Sequence, residues 1–119
     1  FLMNLKKGIV PMSDYELTIT QRAKDDIIDI GDYITYKLLV PEISLQFIKN
    51  LRNAIQQLRN FPYKFPLVQD EYLKQQEIRC MPYKNYYIFY EVIENAKMVI
   101  VIRIGYYRRN WEEILRSPL

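Results

Sequence analysis

The sequence predicts an α+β fold, with a two-helix antiparallel hairpin packed on a small twisted, mainly antiparallel sheet in the order β-α-α-β-β-β-(α). Three observations carry that prediction. Two consecutive segments repeat apolar residues at helical spacing, and only Leu39 and Val40 separate them, which requires a tight hairpin of helices. Three later apolar runs, Glu77 to Pro82, Tyr86 to Ile93 and Met98 to Ile104, have the length and the β-branched and aromatic content of strands. A chain of 119 residues, 50% of them hydrophobic, supports one core and not two.

Each element has its own justification. Tyr15 to Ile19 alternates with period two, the pattern of a short half-buried strand. Thr20 is placed to cap the helix that follows. In that helix Ala23, Ile27, Ile30, Ile34 and Leu38 form one apolar face. Asp25, Asp26 and Asp29 lie early in it, where the helix dipole favours negative charge. Gly31 costs about 1 kcal/mol relative to alanine in a helix interior, and so marks close packing. Pro41 opens a second helix, since its missing N–H would be unpaired in a first turn anyway. Ser44, Phe47, Ile48, Leu51, Ala54, Ile55 and Leu58 line one face of that helix, and Lys49, Arg52 and Arg59 the other. Asn60 and then Phe61-Pro62 end it. Phe61 to Val68 has two prolines and no period, and reads as a loop with aromatic anchors. The last two strands are apolar on both faces, which places them at the centre of the sheet. Glu94 to Lys97 is short enough to join them as a hairpin. Trp111 to Leu115 fits a short terminal helix.

The opening FLMNLKKGIVPM does not read as a signal peptide, because Lys6 and Lys7 follow the apolar pieces. Met12 is the expected start, with residues 1–11 an upstream or cloning-derived segment and residues 12–119 a single domain. No apolar stretch approaches the roughly 20 residues that span a bilayer. The net charge of +3 is unevenly placed. Residues 43–119 hold twelve Lys or Arg against seven Asp or Glu, whereas residues 20–42 hold five acids against three bases. A polyanionic target suits the second half, although ordinary solvated surface explains the charge equally well. Cys80, alone in the chain, cannot make an internal disulfide, and reads as a buried core thiol in a reducing cytoplasm. With no histidine and one cysteine, zinc or iron sites and histidine-based catalysis are excluded, and no cofactor is expected. No glycine-rich phosphate loop and no Ser/His/Asp arrangement is present.

The chemistry concentrates in the last third. Arg79 lies in the first strand after the helices, and Lys84 stands in the turn before Tyr86 and Tyr87. Arg103 interrupts an otherwise apolar run, so it must reach a sheet edge, pair with an acid or face a ligand. Arg108 and Arg109 follow directly. Five cations could thus converge at one end of the sheet. The alternative pairs Arg103 with a carboxylate such as Glu91 or Asp32 and leaves the others solvated. Tyrosine is abundant, eleven in all. Without histidine, tyrosine and lysine remain as acid–base groups for a ribose hydroxyl. Tyr86 and Tyr90 share a strand face and read equally as core, with Tyr87 at the rim. Basic side chains beside aromatic ones on a sheet edge suit a phosphate backbone and stacked bases.

The passages NFPYKFPLV, KNYYIFYEV and IRIGYYRRNW, arriving in that order after two helices, resemble the RelE/ParE superfamily of bacterial toxins over about residues 14–115. The resemblance implies the growth-arresting half of a type II toxin–antitoxin, or plasmid-stabilisation, module, with a cognate antitoxin that wraps the working surface. It also implies one of two activities. RelE-like members cleave mRNA in the ribosomal A site with arginine, lysine and tyrosine and without metal, whereas ParE-like members poison DNA gyrase. Under the first, Arg79 and Arg108 hold the scissile phosphate, Tyr106 or Lys84 handles the 2′-hydroxyl proton, and Tyr87, Arg103, Tyr107 and Arg109 bind substrate. Several positions depart from the RelE pattern. Tyr87 stands where nuclease members carry the arginine of Tyr-Arg-x-x-Tyr. Tyr107 and Asn110 replace the glycine and aspartate of Tyr-Gly-Arg-Arg-Asp-Trp, and a one-residue shift after Gly105 would align a Gly-His-Arg-Arg pattern instead. Helices of about 18 residues lean toward ParE. The Arg/Lys/Tyr edge puts ribosome-dependent mRNA cleavage slightly ahead of gyrase inhibition, with a catalytically silent antitoxin-binding module third.

Overall fold

The computed structural model describes residues 15–117. The expected start at Met12 and the segment before it lie outside those residues. Within them the chain runs β1 (Glu16–Ile19), α1 (Gln21–Leu38), α2 (Pro41–Gln56), α3 (Glu71–Gln75), β2 (Arg79–Tyr83), β3 (Tyr86–Ile93), β4 (Met98–Tyr106) and α4 (Trp111–Arg116). This is the α+β order that the sequence predicts, with one addition. The short α3 arises because Asp70 caps it by accepting from the Leu73 N–H, and Leu73 then buries completely. Its five residues give no helical period to read.

The sheet order is β1-β4-β3-β2. β4 pairs antiparallel with β3, and β3 with β2, while β1 runs parallel to β4 with Glu16 opposite Met98 and Ile19 opposite Val101. The two doubly apolar strands are indeed central. Helices α1 and α2 cover one face, where Ala23, Ile27, Leu51, Ile55 and Leu58 pack against Met81, Ile88, Tyr90, Val99, Val101 and Ile104. A second, smaller cluster of Leu73, Ile78, Phe89 and Trp111 lies apart from it, joined by Ile102, Tyr87 and Ile114. The helix spacing follows from small residues. Ala23 is fully buried, and the Ser44 hydroxyl donates to the Gly31 carbonyl at 2.8 Å. The helices approach closely at Gly31, although a methyl group there would meet Ile48 at 3.5 Å, an ordinary van der Waals contact.

Parallel β1 ends at Ile19, so the edge of β4 beyond Val101 has no strand partner. The start of α1 takes that place. Thr20 caps α1 by accepting from the Ala23 N–H and also donates to the Ile102 carbonyl. Asp26 accepts the Ile104 N–H at 2.9 Å. A bulge in β4 sits at the same point, since Phe89 faces Arg103 while Tyr90 faces Val101, leaving Ile102 without an opposite residue. The extra residue turns Arg103 away from the helix-facing row of Val99 and Val101.

Candidate functional site

Arg103 is the first residue the structure relocates. It is buried, and it donates to both oxygens of Asp26, at 2.8 Å and 3.2 Å, with its guanidinium 5.9 Å from the Trp111 ring centre. The expectation that Arg103 binds substrate is corrected: it is an internal cation that ties β4 to α1. A buried guanidinium needs a fork-shaped acceptor, and Asp26 supplies one. Glu91 and Asp32, the partners suggested by spacing, are not the ones used. Asp26 thereby serves the sheet rather than the helix dipole.

Arg79 is also committed. Its Nη1 donates to the Phe65 carbonyl at 2.6 Å and its guanidinium sits 5.0 Å from the Tyr63 ring centre. It lies opposite Tyr90, four residues along β2 from Tyr83, so on the order of 13 Å from the strand end at about 3.3 Å per residue. The five cations therefore do not converge.

What does gather at the sheet end is Lys84, Arg108 and Arg109 with a belt of rings. Tyr83, Tyr86 and Tyr106 are in register across three strands. Phe47 of α2 packs on Tyr86 at 5.5 Å between ring centres, Tyr86 meets Tyr106 at 6.4 Å, Tyr106 meets Tyr107 at 5.2 Å, and Tyr107 meets Tyr87 at 6.0 Å. Such offset and edge contacts fix each ring for its neighbour. Arg108 donates from Nε to the Tyr107 hydroxyl at 2.8 Å. Arg109 lies 5.2 Å from the Trp111 ring centre. Lys84 holds a positive φ of 53° in the β2–β3 turn, 5.8 Å from the Tyr83 ring centre.

Local sequence explains the geometry. Trp111 donates from Nε1 to the Tyr106 carbonyl at 2.9 Å, and its ring lies where a Cβ on Gly105 would come within 2.7 Å. Gly105 is there because no larger residue lets the indole approach. Asn110 caps α4 through the Glu113 N–H, so its amide oxygen does the work that an aspartate would do. Tyr90 is wholly buried core with its hydroxyl on the Pro62 carbonyl, and burial pushes that phenol up to about 12. Tyr86 is half-buried, and burial first, then Tyr33 and Tyr106, hold its phenol above the usual value. Cys80 is only partly buried, beside the second cluster, and desolvation pushes its thiol up to about 12, so it is a poor nucleophile.

Two groupings escaped the sequence reading. At the far end of the sheet, Glu94 accepts from Tyr15 at 2.7 Å and from Tyr63, and pairs with Lys97. On the helix side of the sheet end, Asp29, Tyr33 and Lys37 of α1 line a cleft with Asn85, Tyr106 and Arg109. Their four-residue spacing along α1 was the available signal, but it runs beside the apolar stripe and looked like solvated surface.

The hairpin-on-sheet architecture, with an aromatic and basic sheet end, is shared with solved structures of low sequence identity. A ParDE toxin–antitoxin structure from P. aeruginosa superposes with a TM-score of 0.65 at 18% identity, covering 77% of this chain and 95% of that one. A mutant of the E. coli RelE toxin in the free state gives 0.58 at 16%, covering 88% and 98%. The RelBE2 toxin–antitoxin complex of Mycobacterium tuberculosis gives 0.55 at 15%, covering 83% and 98%. A comparison with curated proteins gave no match. Residues 17–111 match the family described as the ParE toxin of the type II toxin–antitoxin system parDE, and the chain belongs to that family.

Proposed function

We propose that this toxin, once freed from a cognate antitoxin, arrests growth by binding a protein target, DNA gyrase, and not by cutting mRNA. The separation of the cations carries this reading. A metal-independent ribonuclease needs its phosphate-holding donors and its proton-moving group within about 3 Å of one reacting phosphate. Arg79 is held by Phe65 and Tyr63, and Arg103 is buried on Asp26. The remaining sheet end is made of tyrosine, tryptophan and arginine, the composition of a protein-binding hot spot. Family membership and the long hairpin favour the same target.

The antitoxin covers two surfaces. One is the apolar tip of the hairpin, where Tyr36, Leu38, Leu39, Val40, Ile43 and Leu45 are all exposed. The other is the basic sheet end, which suits an acidic segment. Purified chain added to gyrase supercoiling reactions and to translating ribosomes should block supercoiling and leave mRNA whole. Cleaved mRNA with supercoiling untouched would reverse the assignment. One observation favours that second reading: Lys84, Tyr106 and Arg108 do share the sheet end, and they would have to suffice without Arg79. Either target places the action in the cytoplasm.

A further inference from the structure

The cleft between α1 and the ends of β3 and β4 shares Tyr106 and Arg109 with the sheet end and adds Asp29, Tyr33 and Lys37 of α1, which the proposed function does not use. Its volume is about 630 Å³, in the range of small-molecule sites. Ile30, Ile104 and the bare backbone of Gly105 contribute its apolar lining. Tyr33 from α1 and Tyr106 from β4 line it while 58% and 45% exposed. Lys37 and Arg109 line it as well, and among the described residues neither side chain forms an ion pair. Of the two lining carboxylates, Asp26 is neutralised by Arg103, leaving Asp29 alone beside the Asn85 amide. Two free cations against one free carboxylate make the cleft electropositive.

We propose that this cleft binds a purine nucleotide, with the base against Tyr33 and Tyr106, its amino edge toward Asp29 and Asn85, and its phosphate on Lys37 and Arg109. A base stacks favourably on an aromatic side chain whatever its sequence context, because every base has a π-face. A carboxylate accepts from a base amine, and lysine with arginine holds phosphate. The fused purine rings span two tyrosines, whereas a single pyrimidine ring covers less of them. A purely apolar occupant, such as an aromatic side chain of a protein, would bury Lys37, Arg109 and Asp29 without partners. The nucleotide can be free or one unit of a single strand.

The test titrates the full chain with GMP, AMP, UMP and inorganic phosphate, by calorimetry and by the fluorescence of Trp111. That tryptophan, the only one in the chain, packs on Gly105 beside the cleft. Saturable binding of GMP or AMP, about tenfold tighter than UMP or phosphate, is expected. Tyr33→Ala should weaken it roughly tenfold with unchanged thermal melting, in line with the loss of one stacked ring. Lys37→Ala should reduce its salt dependence. Ile28→Ala, on a residue of α1 58% exposed and outside the cleft, should leave it unchanged. Tighter binding of a short purine-containing RNA assigns the site to a strand, and equal binding assigns it to free nucleotide. No saturable binding, equal affinity for UMP and phosphate, or a Tyr33→Ala variant that binds normally would overturn the proposal.

Discussion

Arg103 carries its charge into an apolar strand and is almost wholly buried there. A charge in an apolar strand demands a partner, and the partner turned out to be Asp26, 77 positions away. Removing one member of a buried pair strands the other, at a typical cost of about 3–5 kcal/mol. Asp26→Ala should therefore lower unfolding free energy by roughly 3 kcal/mol in urea titrations, more than Ala substitution at the exposed Asp25. Replacing Asp26 and Arg103 together by apolar residues should cost less than the two single changes added. Gly105→Ala makes an independent case, because the new Cβ would stand 2.7 Å from the Trp111 ring. Displacing the indole should cost about 1–3 kcal/mol and shift tryptophan emission. An unchanged emission spectrum would mean that the ring does not sit on Gly105.

At the scale of elements, the helix hairpin turns on a leucine in the left-handed region. Leu39 has φ 58°, its N–H donates to Thr35, and its side chain is 78% exposed. For an L-residue that conformation costs roughly 1–2 kcal/mol, and glycine relieves most of it. Leu39→Gly should raise the melting temperature of the free chain while weakening antitoxin binding, since it removes part of the apolar tip. Gain of stability with no loss of affinity would remove Leu39 from the interface. The clasp at the other end of the sheet is electrostatic. Lys97 first, then Tyr63 and Tyr15, hold the Glu94 carboxyl down to about 2 from an ordinary 4.5. A depressed carboxyl stabilises the fold above its ordinary pKa and loses that contribution as pH falls through its folded value. The melting-temperature gap between the native chain and Glu94→Gln should be full at pH 6 and shrink between about pH 4.5 and 2. A constant gap would assign the effect to packing.

For the whole molecule the expected outcome is biological. Expression of the chain alone should arrest bacterial growth, and co-expression of the small partner encoded beside it should restore growth. Normal growth at verified soluble expression would contradict the family assignment in function. If the antitoxin covers the basic sheet end as proposed, toxin–antitoxin affinity should fall as salt rises. Helices, strands and the hairpin turn were legible because each rests on near neighbours: Thr20 with Ala23, and Pro41 in a first turn. Residues of the candidate site were legible only as types. Lys84, Tyr106, Arg108 and Arg109 lie at one sheet end, whereas Arg79 and Arg103 are held elsewhere.

Periodicity and composition by themselves determined an α+β domain, a two-helix hairpin and two central strands, because these follow from spacings of two, three and four residues. The toxin family came instead from the resemblance carried by NFPYKFPLV, KNYYIFYEV and IRIGYYRRNW. Only the tertiary structure decided which cations remain free. Whether an arginine faces solvent, a carbonyl or a carboxylate depends on partners brought close by folding. The parallel placement of β1, the bulge at Ile102 and the reach of α1 over the bare edge of β4 put Asp26 beside Arg103. Desolvation then makes that pairing obligatory. The cleft behind Tyr106 follows from the same packing, since it joins residues of α1 to others at least 48 positions away that no local pattern connects.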